Sequence, residues 1–315
     1  LIKYQVGLMP LFVDLMELKG LVSLRRNRII NNGGNNGMPK WIKEMIKTTR
    51  GTFEVFVKGE GEPICITHHY SEFNETGDYF ADTFTDNNKV FLVNLKDAGN
   101  SDKANYAHEL SMIDAVLDLE EIRKVKGFPS WTFAGHSTGG MIGIIYGIHF
   151  SFSLKSLIIV GSSAREYSSS SNRCIYNEGH PKFKRMQELI EILKLPSLSE
   201  EERKRLSKER TQLSLFTPDN YDLYFSKNIT KKMSASRMNF FSREQLIFDV
   251  TRQLPSVKTN TYILCGRHDV QCPIDFSIEL GELITAASLH IFEQSNHYPF
   301  LEEEFEFKKI LKNIL

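Results

Sequence analysis

The stretch Trp131-Thr132-Phe133-Ala134-Gly135-His136-Ser137-Thr138-Gly139-Gly140 runs from a short strand-like segment through a glycine-rich turn into the helix-like Met141 to Ile148. A bare Gly-x-Ser-x-Gly is common by chance, and its position between a strand and a helix is what makes it informative. Such a turn lifts the central side chain above the edge of a sheet. It tolerates only small neighbours, because a Cβ at Gly135 or Gly139 would collide with adjacent backbone. The first N–H groups of the helix then point at Ser137, where they favour developing negative charge. The inert alternative for Ser137 is a helix N-cap in a tight turn.

Outward from this stretch, Lys89 to Asn94 (KVFLVN) and Lys155 to Val160 (KSLIIV) are continuous apolar runs, the pattern of strands buried on both faces. Thr261 to Cys265 and Ser288 to Phe292 read as further strands. Helical spacing over Ala104 to Lys126 ends at Gly127, and two more helices are expected near Ile274 to Ile284 and from Glu302 to Leu315. Phe53 to Val57 alternates and stops at Gly59-Glu60-Gly61, which predicts a hairpin into a second strand, Ile64 to Thr67. The class is α/β, a mostly parallel sheet flanked by helices, with its core in residues 38–161 and 254–315.

Residues 162–253 break the alternation. Lys182 to Lys194 and Ser199 to Arg210 are charged and Leu-containing, with Pro196 and Pro218 as punctuation, and predict a helical insertion. Its charged runs read as solvated faces. Tyr167, Phe216 and Phe241 are candidates to line a pocket beneath it, against the plainer role of packing. Residues 1–37 end in Asn31-Asn32-Gly33-Gly34-Asn35-Asn36-Gly37 and read as an extension outside the fold, which is expected to start near Met38. Asp14 and Glu17 follow the apolar stretch Val6 to Val13 with no small-residue cleavage site, so a secretory signal is not expected.

The chain has 315 residues with 39 basic and 39 acidic side chains, a formal charge of zero. That balance lacks the basic footprint of nucleic-acid or anionic-membrane binding, and no apolar run is long enough to span a bilayer. Four cysteines without a C-x-x-C pair argue against a disulfide framework or zinc site. The expectation is a cytoplasmic protein with no metal and no cofactor, acting on a small molecule or short peptide. Neutrality also leads to the expectation of an uncharged or weakly charged substrate.

A serine hydroxyl needs a base, and the base needs an orienting acid. Asp269 follows the strand Thr261 to Cys265 in Gly266-Arg267-His268-Asp269, and His297 follows Ser288 to Phe292 in Ser295-Asn296-His297. Both therefore fall at the sheet edge that displays Ser137, where open α/β sheets place their sites. The order Ser137, Asp269, His297 is that of a nucleophile on a strand-to-helix turn followed by its acid and base.

On Gly-His-Ser137-Thr-Gly, Gly-Arg-His-Asp269 and His297, the chain resembles the α/β-hydrolase-fold serine hydrolases over residues 51 to 310. Asn94-Leu95-Lys96-Asp97-Ala98-Gly99-Asn100-Ser101 resembles the family's Asp-x-x-Gly-x-Gly-x-Ser loop, and the 162–253 insertion falls where the family carries its cap. The layout is similar to proline iminopeptidases and related esterases and C–C bond hydrolases. The resemblance implies an eight-stranded type of sheet and an oxyanion hole formed by the N–H groups of Thr138 and Tyr70. Thr67-His68-His69-Tyr70-Ser71 departs from the family's His-Gly, with His69 in place of glycine. His68 and His136 are expected to support their loops, and His69 is a candidate substrate contact. The implied activity is hydrolysis of a small carboxylic ester or amide. Alternatives are an aminopeptidase, with Glu166, Glu178 or Glu188 holding the ammonium, and a noncatalytic ligand-binding protein.

Overall fold

A computed structural model describes residues 40–195 and 197–315. The extension expected over residues 1–37 lies outside the described residues. The described chain opens with strands β1 (Ile42–Thr48), β2 (Gly51–Lys58), β3 (Glu62–Ile66) and the short β4 (Ser71–Glu72), then helix α1 (Tyr79–Asp82) and strand β5 (Asn88–Val93). Helix α2 (Met112–Val125), strand β6 (Trp131–His136), helix α3 (Thr138–Phe150) and strand β7 (Leu154–Val160) alternate regularly. The insertion contributes helices α4 (Phe183–Leu193), α5 (Glu200–Gln212), α6 (Tyr221–Tyr224) and α7 (Ala235–Glu244), with the two-residue strand β8 (Lys232–Met233) before α7. Strand β9 (Thr261–Gly266), helix α8 (Ile274–Leu283), strand β10 (Ala287–Phe292) and helices α9 (Pro299–Glu302) and α10 (Glu304–Ile314) complete the chain.

Eight strands form one sheet in the order β1-β2-β5-β3-β6-β7-β9-β10. From β5 to β10 every neighbouring pair is parallel, and β1 and β2 are antiparallel additions at one edge. Alternation along each strand sends side chains to two cores. In β5, Phe91 and Val93 join the layer under α2, α3 and α8, whereas Val90 and Leu92 join the layer under α1 and α10.

One expectation changes. The Gly59–Gly61 turn does reverse the chain, but β2 and β3 are not a hairpin, because β5 lies between them. Turn chemistry fixes direction locally. The slot between the two strands goes to β5, whose residues need burial on both faces. β2 pairs instead with β1, a strand the apolar pattern does not reveal because only Ile46 of its seven residues is buried.

The chain crosses from β3 to β5 on one side and later returns to β6 on the other, so the strand order reverses at β3/β6. Crevices at such reversals, outside the carboxyl ends of the strands, are where ligands bind in this architecture. The insertion meets this edge through the antiparallel pair β4–β8, with Ser71 opposite Met233 and Glu72 opposite Lys232.

Candidate active site

Ser137 occupies the turn between β6 and α3 with φ 56° and ψ −123°, a left-handed conformation that costs a non-glycine residue about 1–3 kcal/mol. Close packing enforces it. A Cβ on Gly135 would lie 2.2 Å from the Gly139 carbonyl oxygen, and one on Gly139 would lie 2.3 Å from that of Thr67. The Ser137 N–H donates to the Val160 carbonyl at 2.9 Å, tying the turn to the end of β7. Thr138 is the first residue of α3, and its N–H has no intrahelical acceptor.

Asp269 and His297 are both buried, and Asp269 Oδ2 lies 2.8 Å from His297 Nδ1. Asp269 Oδ1 accepts the N–H groups of Gln271 at 2.8 Å and Cys272 at 2.9 Å, so the carboxylate is fixed by its own turn. The two loops are bound together by Asn296, whose Oδ1 accepts the Val270 N–H at 3.0 Å. The His297 carbonyl accepts from His136 Nε2 at 2.8 Å, and its N–H reaches the Ser214 carbonyl of the insertion at 3.3 Å. Gly161, after β7, lies beneath the pair with φ 53°. A Cβ there would be 2.9 Å from Asp269 Oδ2 and 3.3 Å from His297 Nδ1.

The loop after β3 is held differently. His68 bridges Ser71 Oγ through Nδ1 and Thr138 Oγ1 through Nε2, each at 2.9 Å. Burial pushes the imidazoles of His68 and His136 well below their ordinary pKa, so both are neutral supports. The His69 carbonyl accepts from Nε of Arg237, a fully buried residue of α7 whose other guanidinium groups bond the carbonyls of Lys96 at 3.0 Å and Leu110 at 3.2 Å. A trans peptide sets its C=O and N–H in opposite directions, so fixing the His69 carbonyl also fixes the direction of the Tyr70 N–H. Among the described residues that N–H has no acceptor. The Tyr70 carbonyl in turn accepts the Ser234 N–H at 2.8 Å.

A family model described as the alpha/beta hydrolase fold matches residues 55–304. The chain belongs to the α/β-hydrolase family. It is similar to a solved alpha/beta fold family hydrolase from Bacillus anthracis str. Sterne, with 41% identity, a TM-score of 0.85, and coverage of 88% of this chain and 100% of that one. It is 26% identical over 227 residues to a proline iminopeptidase of Saccharolobus solfataricus, covering 69% of this chain and 72% of that protein. An esterase from Exiguobacterium antarcticum shares the fold at 20% identity and a TM-score of 0.64, over 87% of this chain and 99% of that one.

The chain thus carries Ser137, Thr138, Tyr70, Asp269 and His297 at one sheet edge, at the ends of β6, β3, β9 and β10. The four side chains expected at the substrate make the following contacts. His69 is 0% exposed and directed at Glu244, with Nε2 3.1 Å from Oε2, because a side chain in the glycine position must turn away into the insertion. Phe241 packs over His69 and Tyr70 at ring distances of 5.2 Å and 5.5 Å. Tyr167 is buried in the core against Phe276. Phe216 is 42% exposed and packs at a tilt against His268, lining an open cavity of about 540 Å³ that Asp269 borders but Ser137 and His297 do not. Sequence reading missed Arg237 and Glu244, which nothing distinguishes from other helix charges. It also passed over Gly161, whose place directly after a buried strand was the available signal. Among the described residues no helix is long and apolar enough to cross a membrane.

Proposed function

We propose that the hydrolase cleaves a small carboxylic ester or amide through an acyl-enzyme on Ser137. His297 Nε2 takes the Ser137 Oγ proton as Oγ attacks the carbonyl carbon. The N–H groups of Thr138 and Tyr70 hold the oxyanion, and Asp269 keeps the imidazole in the required tautomer and stabilises it when charged. Collapse breaks the bond to the alcohol or amine, which leaves with the proton from His297. Water then repeats the sequence, returning the acid and the free serine. The observation that carries this reading is the buried Asp269–His297 pair packed on Gly161 beside a serine in the left-handed region.

An aminopeptidase reading has the similarity to a proline iminopeptidase in its favour. The carboxylates considered for a substrate ammonium are otherwise occupied or turned outward: Glu166 binds Ser168 and Ser169, Glu188 pairs with Arg185, and Glu178 is exposed. The ester or simple amide reading is preferred.

Fluorophosphonate labelling of wild type and Ser137→Ala, with parallel turnover of 4-nitrophenyl esters and prolyl amides, tests it. Labelling lost in the variant, with ester turnover above prolyl-amide turnover, is expected. Folded wild type that takes no label and turns over neither substrate would leave the noncatalytic binding protein as the reading.

A further inference from the structure

Helix α5 carries an arginine with no partner among the described residues. Every other buried or half-buried arginine among the described residues has one: Arg50 on Asp114 and Asp118, Arg123 on Glu120, Arg165 on Glu279, Arg185 on Glu209, and Arg203 and Arg237 on backbone carbonyls. Arg210 is half-buried, its Nε is closed off from solvent, and no acceptor among the described residues reaches it. Withdrawing a guanidinium N–H from water without an acceptor is unfavourable, so such a group marks a place where an acceptor arrives from outside.

Helical spacing sets its direction. Leu206, one turn before Arg210, is buried. Arg210 shares that buried face of α5, four residues on. Two residues past the end of the helix, Ser214 is also buried and its carbonyl accepts the His297 N–H at 3.3 Å, so the last turn of α5, which carries Arg210, lies against the His297 loop. The Ser214 hydroxyl is likewise buried without a partner. Burial pushes up the phenols of Tyr70, Tyr176 and Tyr298, and the nearby Arg210 charge opposes that rise in all three. These tyrosines surround the site. The Tyr298 ring is 5.3 Å from that of His297, Tyr70 follows His69 in the oxyanion loop, and the Tyr176 hydroxyl bonds Gln271 at 2.8 Å beside Asp269. The other cation near Tyr70 and Tyr298, Lys231, has its own counterion in Asp78 at 2.9 Å.

We propose that Arg210 binds a carboxylate of the substrate, so that the ester or amide cleaved at Ser137 carries one negative charge a few bonds from its scissile carbonyl. The proposal rests on the serine-hydrolase reading and replaces the expectation of an uncharged substrate. Net charge describes the whole surface, whereas among the described residues the site presents one uncompensated cation. The planar fork of arginine matches a carboxylate in two parallel hydrogen bonds. A lone guanidinium suits a monoanion, while a phosphate dianion would call for a second free cation. A substrate ammonium would meet like charge.

The test compares 4-nitrophenyl hydrogen glutarate with its methyl-capped diester, in which one added methyl group removes the negative charge. Wild type is expected to favour the charged ester in kcat/KM. Arg210→Met should lower that preference by about 30-fold, chiefly through KM of the charged ester, and Arg210→Lys should recover part of it. Where Arg210→Met does not fold, Arg210→Gln takes its place. A preference unaltered by these substitutions overturns the proposal. A second arm needs no turnover: monomethyl glutarate is titrated calorimetrically into Ser137→Ala with and without Arg210→Met. Binding weakened about 30-fold by the second substitution supports the anion site even if no ester is hydrolysed. Equal binding in both proteins, or none in either, overturns it.

Discussion

Two adjacent strand ends build the site by different means. The turn after β6 is closed by short-range contacts, with Gly139 against Gly135 and the Ser137 N–H on the neighbouring β7. The loop after β3 is held from far along the chain, by Arg237 at a separation of 168 residues and by Glu244 at 175. The core therefore sets Ser137 by itself, whereas the direction of the Tyr70 N–H depends on α7 of the insertion. Under the proposed mechanism, substitutions in the insertion should reach the oxyanion without disturbing Ser137, and substitutions at Asp269 should leave the oxyanion loop in place.

The largest expected effect belongs to the core. Asp269→Asn keeps the shape of the acid but presents the wrong partner to His297 Nδ1, and should lower kcat by about 10³–10⁴-fold. Ester turnover together with a thermal melt checks this. A variant of wild-type rate would move the acid to another residue.

Arg237→Met comes next. It frees the His69 carbonyl, and with it the peptide that directs the Tyr70 N–H, so kcat should fall by about 10²-fold with KM little changed. Arg237→Lys should regain part of the rate by restoring one bond. If stability alone falls and kcat holds, Arg237 is a strut and the dependence on α7 is broken.

The smallest effect is on stability. His69 is held to about 4, chiefly by burial and against the pull of Glu244, while an unfolded histidine titrates near 6.5. Above about pH 6.5 both states are neutral there and the contribution is complete. As pH falls from about 6.5 toward 4, the unfolded chain binds a proton that the folded chain does not, and stability drops by about 1.4 kcal/mol per pH unit. His68 and His136 act in the same direction, and Asp118, raised by burial to about 6, opposes them. His69→Gln should shallow the slope of urea-denaturation free energy against pH by one proton. Parallel slopes for variant and wild type would mean that His69 is charged in the folded protein.

Legibility followed the same division. The Gly-His-Ser-Thr-Gly turn, the strands that precede Asp269 and His297, and the mostly parallel sheet could be read because each has a local cause: hydrophobic periodicity or a steric demand for glycine. The partner of β2 could not be read from Gly59–Gly61, since β5 enters from thirty residues on. The contacts of the insertion's aromatics were not legible for a related reason. Composition marks Tyr167, Phe216 and Phe241 as bulky and apolar but does not say which neighbours they meet: in the fold Tyr167 packs on Phe276, Phe216 on His268 and Phe241 on Tyr70.

By itself the amino-acid sequence determined the α/β class, the strained serine turn, and the strand ends that carry Asp269 and His297, because backbone sterics and residue period act over a few positions. Only the tertiary structure decided that His69 turns into the insertion, that Arg237 fixes the peptide before Tyr70, and that the Arg210 Nε is buried without an acceptor among the described residues. A charged residue on a helix reads the same in sequence whether it meets water, a carbonyl or a ligand. What it meets depends on how distant segments pack together.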